Sequence, residues 1–381
     1  MLPKRCINFF RQIPSKLSVT DRGVPDLLPV LAWILGIALL GVLLGMIFQL
    51  WGTRRDRKVH PPPGRLIDIG THRLHLYETG SGQGGPTIVL ESGLMSTNLS
   101  WTELQRDLEQ SFRVVSYDRA GLGWSDLGPM PRTAERIVEE LHQLLEKANI
   151  PTPYVLVGHS FGGLTMQLFA ARYPQTVAGM VLVDAVAPVE WNPPSEQDRK
   201  LSGIGAKVCR RSAVLARLGI LRFVAWLIHS GLKDMASPLV RLISRGTPAD
   251  SGSVSSPWFF ALPPKERAMA AIFWIQPKFA LTISSQLENL PVSAAQTGQH
   301  ERFCEKRVVI LTASTSSLRR RNGHIEMARR LPLGEHIFAS ESNHWIMQGD
   351  REMVIRAIQS IVENRQDTGG AGLAYEKHSN S

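Results

Sequence analysis

The sequence predicts an α/β fold in which a mostly parallel, doubly wound sheet carries helices on both faces. Short apolar runs alternate with helical patterns from residue 65 onward, which is typical of such a sheet. Residues 188–300 break the alternation with further helical segments, and a long uncharged run lies near the N-terminus. We therefore expect a single α/β core with a helical insertion, preceded by one hydrophobic helix.

The composition fits a folded protein and restricts its partners. With 381 residues, 43% of them hydrophobic and 20% charged, the chain is neither disordered nor collagen-like. The net charge is +10, but the surplus lies mainly in residues 1–58 and 186–300, so we expect no nucleic acid partner.

Cys6, Cys209 and Cys304 lack zinc-site spacing, and no phosphate-binding loop occurs. We expect no metal and no cofactor; a disulfide between Cys209 and Cys304 stays open.

The uncharged run Leu27–Trp51 predicts a single-pass transmembrane helix. About 25 residues at a rise of about 1.5 Å each span a hydrocarbon core of about 30 Å. The run begins too far from the N-terminus and is too long for a typical cleaved signal peptide. A basic tail, 1–26, precedes it and a basic, proline-rich linker, 52–64, follows. Because lysines and arginines flank both ends, the side of the membrane on which the globular part lies is not predicted.

The alternating pattern supplies the rest of the domain plan. We assign 65–187 to the first part of the core, 188–300 to a helical cap, 301–366 to the second part of the core, and 367–381 to a disordered tail. Strands are predicted at 65–69, 73–78, 87–91, 113–117, 154–158, 181–184, 307–312 and 335–340, and helices at 98–110, 132–149, 164–173 and 350–364. Ligand chemistry is expected at the carboxyl ends of the parallel strands.

One of these strand ends carries a nucleophile pattern. The strand at 154–158 leads into Gly158-His159-Ser160-Phe161-Gly162, a G-x-S-x-G sequence followed by a helix. In a strand-turn-helix context the turn exposes the serine hydroxyl, and side chains at Gly158 and Gly162 would collide with backbone. We predict Ser160 as the nucleophile, with His159 pointing away from it into local packing.

Several motifs together make the chain resemble the α/β-hydrolase superfamily over about Arg65 to Asn364. These are LESG after the third strand, DRAGLGWS after the fourth, GHSFGG after the fifth, VLVDAVAP after the sixth and Asn343-His344-Trp345 after the last. The chain is most similar to the esterase, lipase and prolyl aminopeptidase branch. Relatives that open epoxides or remove halogens carry Asp at the position of Ser160. The resemblance implies an eight-stranded sheet with a helical cap inserted after strand 6.

A serine hydroxyl needs an imidazole base, which in turn needs a group that fixes its tautomer. His344 follows the last strand and can reach Ser160 from the carboxyl edge of the sheet. The loop after 307–312 contains no carboxylate, whereas Asp184 ends the sixth strand, an alternative acid position in this fold. We predict a Ser160, His344, Asp184 triad. The alternative is that Asp184 only caps a turn and the enzyme uses another group or a bare dyad.

The resemblance also implies an oxyanion hole formed by backbone amides. By the match of motifs these are the amides of Leu94, after the third strand, and Phe161, at the start of the helix after the nucleophile. Asp118, Arg119 and Ser125 are expected to support this loop through structural hydrogen bonds.

The cap predicts how substrate and membrane are approached. Trp226, Trp258 and Trp274 are candidates for an apolar acyl pocket, although ordinary packing is the commoner role of such residues. The basic, apolar cap either lies against anionic lipid headgroups or presents a solvated basic face.

We hypothesise a membrane-anchored serine hydrolase that cleaves small-molecule or lipid esters with an apolar acyl chain, using water as co-substrate. The alternatives are an amide or peptide hydrolase, an acyltransferase, and a catalytically silent membrane protein with this fold. In a prolyl aminopeptidase, Glu190, Glu196 and Asp198 would be the acids that grip the substrate amine. Chain length of the acyl group and oligomeric state are not predicted.

Overall fold

The fold is built on one sheet of eight strands. The computed structural model describes residues 27–82, 85–232, 234–235, 262–300 and 303–370. The strands are β1 (Arg65–Asp68), β2 (Arg73–Thr79), β3 (Thr87–Glu91), β4 (Val114–Tyr117), β5 (Tyr154–His159), β6 (Val177–Val183), β7 (Val308–Ala313) and β8 (Gly334–Ala339).

The strand order is β1-β2-β4-β3-β5-β6-β7-β8. β1 pairs antiparallel with β2, β2 pairs antiparallel with β4, and all other neighbours are parallel. The predicted fold class is confirmed. Because β5 and β6 are neighbours, the residues that follow them emerge side by side at one edge of the sheet.

Helices cover both faces of the sheet. In β5, Val155 and Val157 pack into one apolar cluster and Leu156 into the other, so alternate side chains bury both faces. The helices are α1 (Leu27–Val59), α2 (Thr102–Leu108), α3 (Ala134–Lys147), α4 (Phe161–Arg172), α5 (Pro188–Trp191), α6 (Glu196–Arg217), α7 (Ile220–His229), α8 (Pro264–Trp274), α9 (Pro277–Glu288), α10 (Leu290–Gly298), α11 (Leu318–Arg330), α12 (Ile346–Gly349) and α13 (Arg351–Gly370).

The hydrophobic helix is longer than the sequence predicted. In the described part of the chain, α1 is the one unbroken helix long and apolar enough to cross a membrane, with a mean hydropathy of 2.7 in its most apolar window. It continues beyond Trp51 to Val59, whereas we expected a linker from 52. Arginine and lysine are good helix formers and are favoured at a helix C-terminus, so the helix persists until Pro61. The predicted linker is also not a free spacer, because the His60 carbonyl accepts a hydrogen bond from Trp124 Nε1 at 3.0 Å.

The predicted cap region contains α5 to α10, with residues 233 and 236–261 outside the described residues. α6 and α7 meet at a bend of 80°. Cys209 and Cys304 are free thiols, so the open disulfide alternative is excluded. At the C-terminus α13 runs to Gly370, a few residues into the predicted tail, and 371–381 lie outside the described residues.

Candidate active site

Ser160 occupies a strained turn between β5 and α4. Its backbone has φ 53° and ψ −120°, a conformation that costs a non-glycine residue about 1–3 kcal/mol. The turn is held by three hydrogen bonds, from Ser160 N to Val183 O and from Gly163 N and Val186 N to Ser160 O. A Cβ at Gly158 would lie 2.6 Å from Gly163 Cα. The sequence therefore forms this turn only with glycine there, as the motif predicts.

Asp184 and His344 are joined by a short hydrogen bond. His344 Nδ1 lies 2.5 Å from Asp184 Oδ2. Because a carboxylate only accepts, Nδ1 carries the proton and Nε2 is left with a lone pair. Asp184 itself has φ 41°, so the turn after β6 is strained like the turn after β5. The structure thus brings together the predicted base and the predicted acid.

The end of β7 and the loop after it give hydrogen-bond donors to Asp184, and this loop has no carboxylate of its own. The amide of Ala313, the last residue of β7, donates to Asp184 Oδ1 at 3.1 Å, and the hydroxyl of Ser316 in the following loop donates to the same oxygen. Burial would raise the pKa of Asp184, but the hydrogen bond from His344 and the charge of Arg320 outweigh it and hold that pKa below its usual value. The loop supplies donors to an acid that comes from the neighbouring strand.

His159 contacts His344 through a hydrogen bond and through its ring. Its Nε2 donates to the His344 carbonyl at 2.9 Å, and the two ring centroids are 4.6 Å apart. Burial lowers the pKa of His159 well below its usual value, so this ring is neutral. Asn343 Oδ1 accepts from Trp345 N at 2.9 Å and holds the turn around His344, where the superfamily usually has glycine.

The position of Ser160 relative to His344 is set by these contacts. Ser160 directly follows His159, whose ring packs on His344. Among the described residues, the structure contains no hydrogen bond between Ser160 Oγ and His344, so that contact remains a prediction.

Arg320 is a site residue that the sequence did not reveal. Its Nη1 lies 3.3 Å from Asp184 Oδ2 and 3.5 Å from His344 Nδ1. Its Nε lies 3.0 and 3.1 Å from the two carboxylate oxygens of Glu190. Glu190 also accepts from the Ala187 amide at 2.8 Å. A buried chain of charges therefore runs from α5 through α11 to the acid. The nearest signal in the sequence is Glu190, a candidate for gripping the amine of a peptide substrate.

The two residues predicted to supply the oxyanion amides, Leu94 and Phe161, lie beside Ser160. A Cβ at Gly93 would be 3.3 Å from Ser160 Cβ, which places the loop carrying Leu94 against the turn. Leu94 packs against the apolar cluster that contains Phe161. Within the described residues, neither the Leu94 nor the Phe161 amide donates to a protein acceptor. Both amides are available to hold a negatively charged oxygen.

Arg119 fixes the Leu94 loop. Its guanidinium donates to the carbonyls of Ser92 at 2.5 Å and Gly93 at 2.6 Å, and pairs with Glu91 at 2.5 Å. Its Cζ also lies 5.3 Å from the centre of the Phe161 ring. Burial raises the pKa of Glu91, although Arg119 counteracts the shift. The structure places Arg119 in the supporting role that we expected.

Asp118 and Ser125 make the structural bonds expected of them. Asp118 accepts from the Asn98 and Trp124 amides at 2.9 and 3.1 Å and from His75 Nδ1 at 2.9 Å. Ser125 Oγ donates to the Asp118 carbonyl at 2.6 Å. These bonds hold the loop after β4 against the loop after β3.

The cap aromatics do not form a common pocket in the described structure. Trp274 is partly buried against the main apolar core beside Phe279. Trp226 is half exposed and lines a groove between α1 and α7. Trp258 lies outside the described residues. The acyl-pocket prediction thus finds no support for Trp226, because the residues that line its groove include none of the predicted site residues.

Comparison with known proteins identifies the fold. Residues 86–206 match the family model described as the alpha/beta hydrolase fold. A Hormonema carpetanum protein named as a transporter, efuK, is 38% identical over 144 residues, which is 36% of this chain and 20% of that protein. Two Bacillus subtilis relatives are covered over 41% and 50% of their lengths. The chain therefore spans half or less of these curated relatives.

Solved structures match over most of the chain. An esterase from Thermogutta terrifontis has a TM-score of 0.51 at 20% identity, with 77% of this chain and 94% of that chain covered. A Pseudomonas aeruginosa protein described as an epoxide hydrolase has a TM-score of 0.59 at 14% identity, covering 80% of this chain and 96% of that one. At these identities the matches show the fold alone, and the fold is the one that the motifs predicted.

Proposed function

We propose that this chain, which has the α/β-hydrolase fold, is a membrane-anchored serine hydrolase that cleaves carboxylic esters through an acyl-enzyme. The observation that carries the proposal is the hydrogen bond from His344 Nδ1 to Asp184, beside the strained turn that presents Ser160. It leaves His344 Nε2 as the free basic nitrogen of the site.

In the first half of the reaction, His344 Nε2 takes the Ser160 proton as Oγ attacks the ester carbonyl. The carbonyl oxygen becomes negatively charged and is held by the amides of Leu94 and Phe161. When the tetrahedral intermediate collapses, the C–O bond to the alcohol breaks, and the alcohol leaves with the proton from Nε2. Asp184 stabilises the imidazolium throughout and keeps its own charge.

In the second half, water replaces the alcohol. Nε2 takes a proton from water, the resulting hydroxide adds to the acyl carbon, and a second oxyanion forms in the same place. Its collapse breaks the bond to Ser160 Oγ, which recovers the proton from Nε2. The products are one carboxylic acid and one alcohol for each water consumed.

Three features favour hydrolysis of an apolar ester over the opening of an epoxide and over aminopeptidase activity. A serine nucleophile acylates at a carbonyl, whereas epoxide opening in this fold uses a carboxylate nucleophile. Glu190 is neutralised by Arg320, and Asp198 lies 3.5 Å from Arg319, so two of the three acids weighed for gripping an amine are already paired. Residues 27–51 favour anchoring at a membrane, where apolar esters concentrate.

The proposal is tested by turnover of p-nitrophenyl esters of increasing acyl length, from acetate to palmitate, by the full-length protein in detergent micelles. We expect activity in the wild type that favours chains longer than acetate and falls to background in Ser160→Ala. Ser202→Ala on α6, which removes a hydroxyl that bonds only within its own helix, serves as the matched control and should retain full activity. Wild-type turnover no faster than Ser160→Ala would reject the assignment.

A further inference from the structure

The C-terminal part of α1 packs directly on the cap. A Cβ at Gly45 would lie 2.2 Å from the Leu218 carbonyl oxygen, and one at Gly219 would lie 2.4 Å from the Gly45 carbonyl oxygen. The backbones of α1 and of the turn between α6 and α7 therefore touch, which only small residues allow. α1 therefore packs against the cap region near the end of its apolar run.

A polar cluster continues this contact one turn further on. Arg222 of α7 pairs with Asp56 at 2.7 Å and donates to Gln49 Oε1 at 3.1 Å and to Thr53 Oγ1 at 3.4 Å. Gln49 also donates to the Ile275 carbonyl at 3.3 Å. Gln49 and Arg222 are both buried, so the contact is specific and fixes the rotation of α1 against the cap.

This contact sets the depth of α7 relative to a bilayer crossed by α1. Gly45 precedes Trp51, the end of the uncharged run, by six residues, or about 9 Å of helix. If the whole run is in the hydrocarbon, the α6–α7 turn is below the headgroups. If the crossing ends just before Gly45, the turn lies at the membrane surface. Trp226 of α7 lines one groove with Trp51 and Arg55, so it lies near the level at which the uncharged run ends.

α7 carries the side chains that such a position requires. Phe223 and Trp226 lie three residues apart on one face of the helix and are exposed by 45% and 52%, whereas Val224 and Leu227 are buried in the protein. The Phe223 and Trp226 rings stack with centroids 5.8 Å apart. Exposed aromatic side chains are typical of protein surfaces that enter a membrane interface.

The space between α1 and α7 has the same character. A groove of about 630 Å³ lies there, with walls that include Phe48, Trp51, Trp226 and Ile275. Arg55 stands at this groove with its guanidinium 5.6 Å from the Trp51 ring. Apolar walls with a cation beside them match an acyl chain below an anionic headgroup.

We propose that α7 is a second membrane contact, whose Phe223 and Trp226 enter the interface of an anionic bilayer beside α1. The inference rests on the proposed anchoring by α1. Two contacts, one crossing the bilayer and one at its surface, would fix the orientation of the whole domain, because α7 belongs to the predicted cap region and packs on α1.

The test is photo-crosslinking to lipid in the full-length protein. p-Benzoylphenylalanine is placed singly at Ile37, Trp226 or Leu333, and each protein is reconstituted in vesicles of phosphatidylcholine and phosphatidylglycerol. Ile37 reports the anchor, Trp226 reports α7, and Leu333 is an equally exposed apolar position on the connection before β8. After irradiation, mass spectrometry measures the fraction of each protein attached to lipid.

We expect lipid adducts at Ile37 and Trp226 on the order of tenfold above those at Leu333. Adducts at Ile37 with Trp226 no higher than Leu333 would overturn the inference and leave the anchor intact. Adducts at none of the three would overturn the anchor and the inference together. Ester hydrolysis is measured separately and is unaffected by either outcome, so failure of the enzyme assignment is distinguishable.

Discussion

At the residue scale, Asp184 decides whether the site works as a triad. It is the buried carboxylate that accepts from His344 Nδ1, and its own oxygens are held by Ala313, Ser316 and Arg320. In Asp184→Asn the amide can donate to Nδ1 and favour the wrong tautomer, so we expect kcat to fall by about 10³–10⁴-fold. The measurement is steady-state hydrolysis of the preferred nitrophenyl ester.

The control for this prediction is Glu326→Gln, the same type of change on the surface of α11. Glu326 pairs with Arg330 within its own helix and should not affect kcat. A fall in Asp184→Asn of less than tenfold, with unchanged melting temperature, would show that the enzyme works as a dyad.

His324 predicts a pH dependence of stability. Burial lowers its pKa to about 4 from an ordinary value of 6.5. Its Nε2 donates to the Ala185 carbonyl at 2.7 Å, next to Asp184. The unfolded chain binds a proton at His324 more readily than the folded chain does. The folded protein therefore has its full stability above pH 6.5 and loses part of its free energy of unfolding as the pH falls to about 4. The loss amounts to about 3 kcal/mol.

The measurement for His324 is the melting temperature in micelles at pH 7 and pH 5. His324→Gln keeps a donor toward Ala185 and does not titrate, so its melting temperature should fall less than that of the wild type over this range. Equal falls in the two proteins would contradict the prediction.

Arg320 shows what the sequence could not reveal about the site. Ser160 and His344 each follow a strand in a recognisable string, and Asp184 ends one, so the order of motifs predicted all three. Arg320 is one of three consecutive arginines at the start of α11, and nothing in its spacing distinguishes it from the others. Its contact with Asp184 arises only from the packing of α11 beside the end of β6.

At the element scale, the strands were predictable and the end of α1 was not. Each strand is a short apolar run bounded by turn residues. Because the central strands are buried on both faces, their apolar residues follow one another without interruption. In α1 the apolar run and the helix end at different residues. The end of the apolar run reflects the surroundings of the side chains, whereas the end of the helix reflects the helix propensity of the residues, and the two need not coincide. Packing of Asp56 on Arg222 then stabilises the basic turn.

The turn between β5 and α4 gives a prediction at this scale. A Cβ at Gly162 would lie 2.5 Å from the carbonyl oxygens of Glu91 and Ser92. Gly162→Ala should therefore lower the melting temperature and separate the Leu94 loop from the nucleophile. Gly203→Ala on α6 is the matched control, because its Cβ meets nothing within 4 Å.

Gly203→Ala should raise stability by about 0.5–1 kcal/mol, the usual gain for this change in a helix. Differential scanning calorimetry on both variants compares them. A Gly162→Ala protein as stable as the wild type would mean that the loops after β3 and β5 are not in close contact.

At the scale of the whole molecule, the chain divides into an apolar helix and a hydrolase-fold domain fastened to it. We expect the full-length protein to stay with the membrane pellet after a wash in carbonate at pH 11, because a spanning helix resists release that strips peripheral proteins. Release into the supernatant would contradict anchoring. A mature protein lacking residues 27–51 would identify the helix as a cleaved signal.

The central claim is that Ser160 is the activated nucleophile, and mapping of a fluorophosphonate adduct tests it most directly. Tandem mass spectrometry of the labelled full-length protein should find the adduct on Ser160 alone, with labelling greatly slowed in His344→Ala. An adduct on another residue, or undiminished labelling of folded Ser160→Ala, would contradict the account.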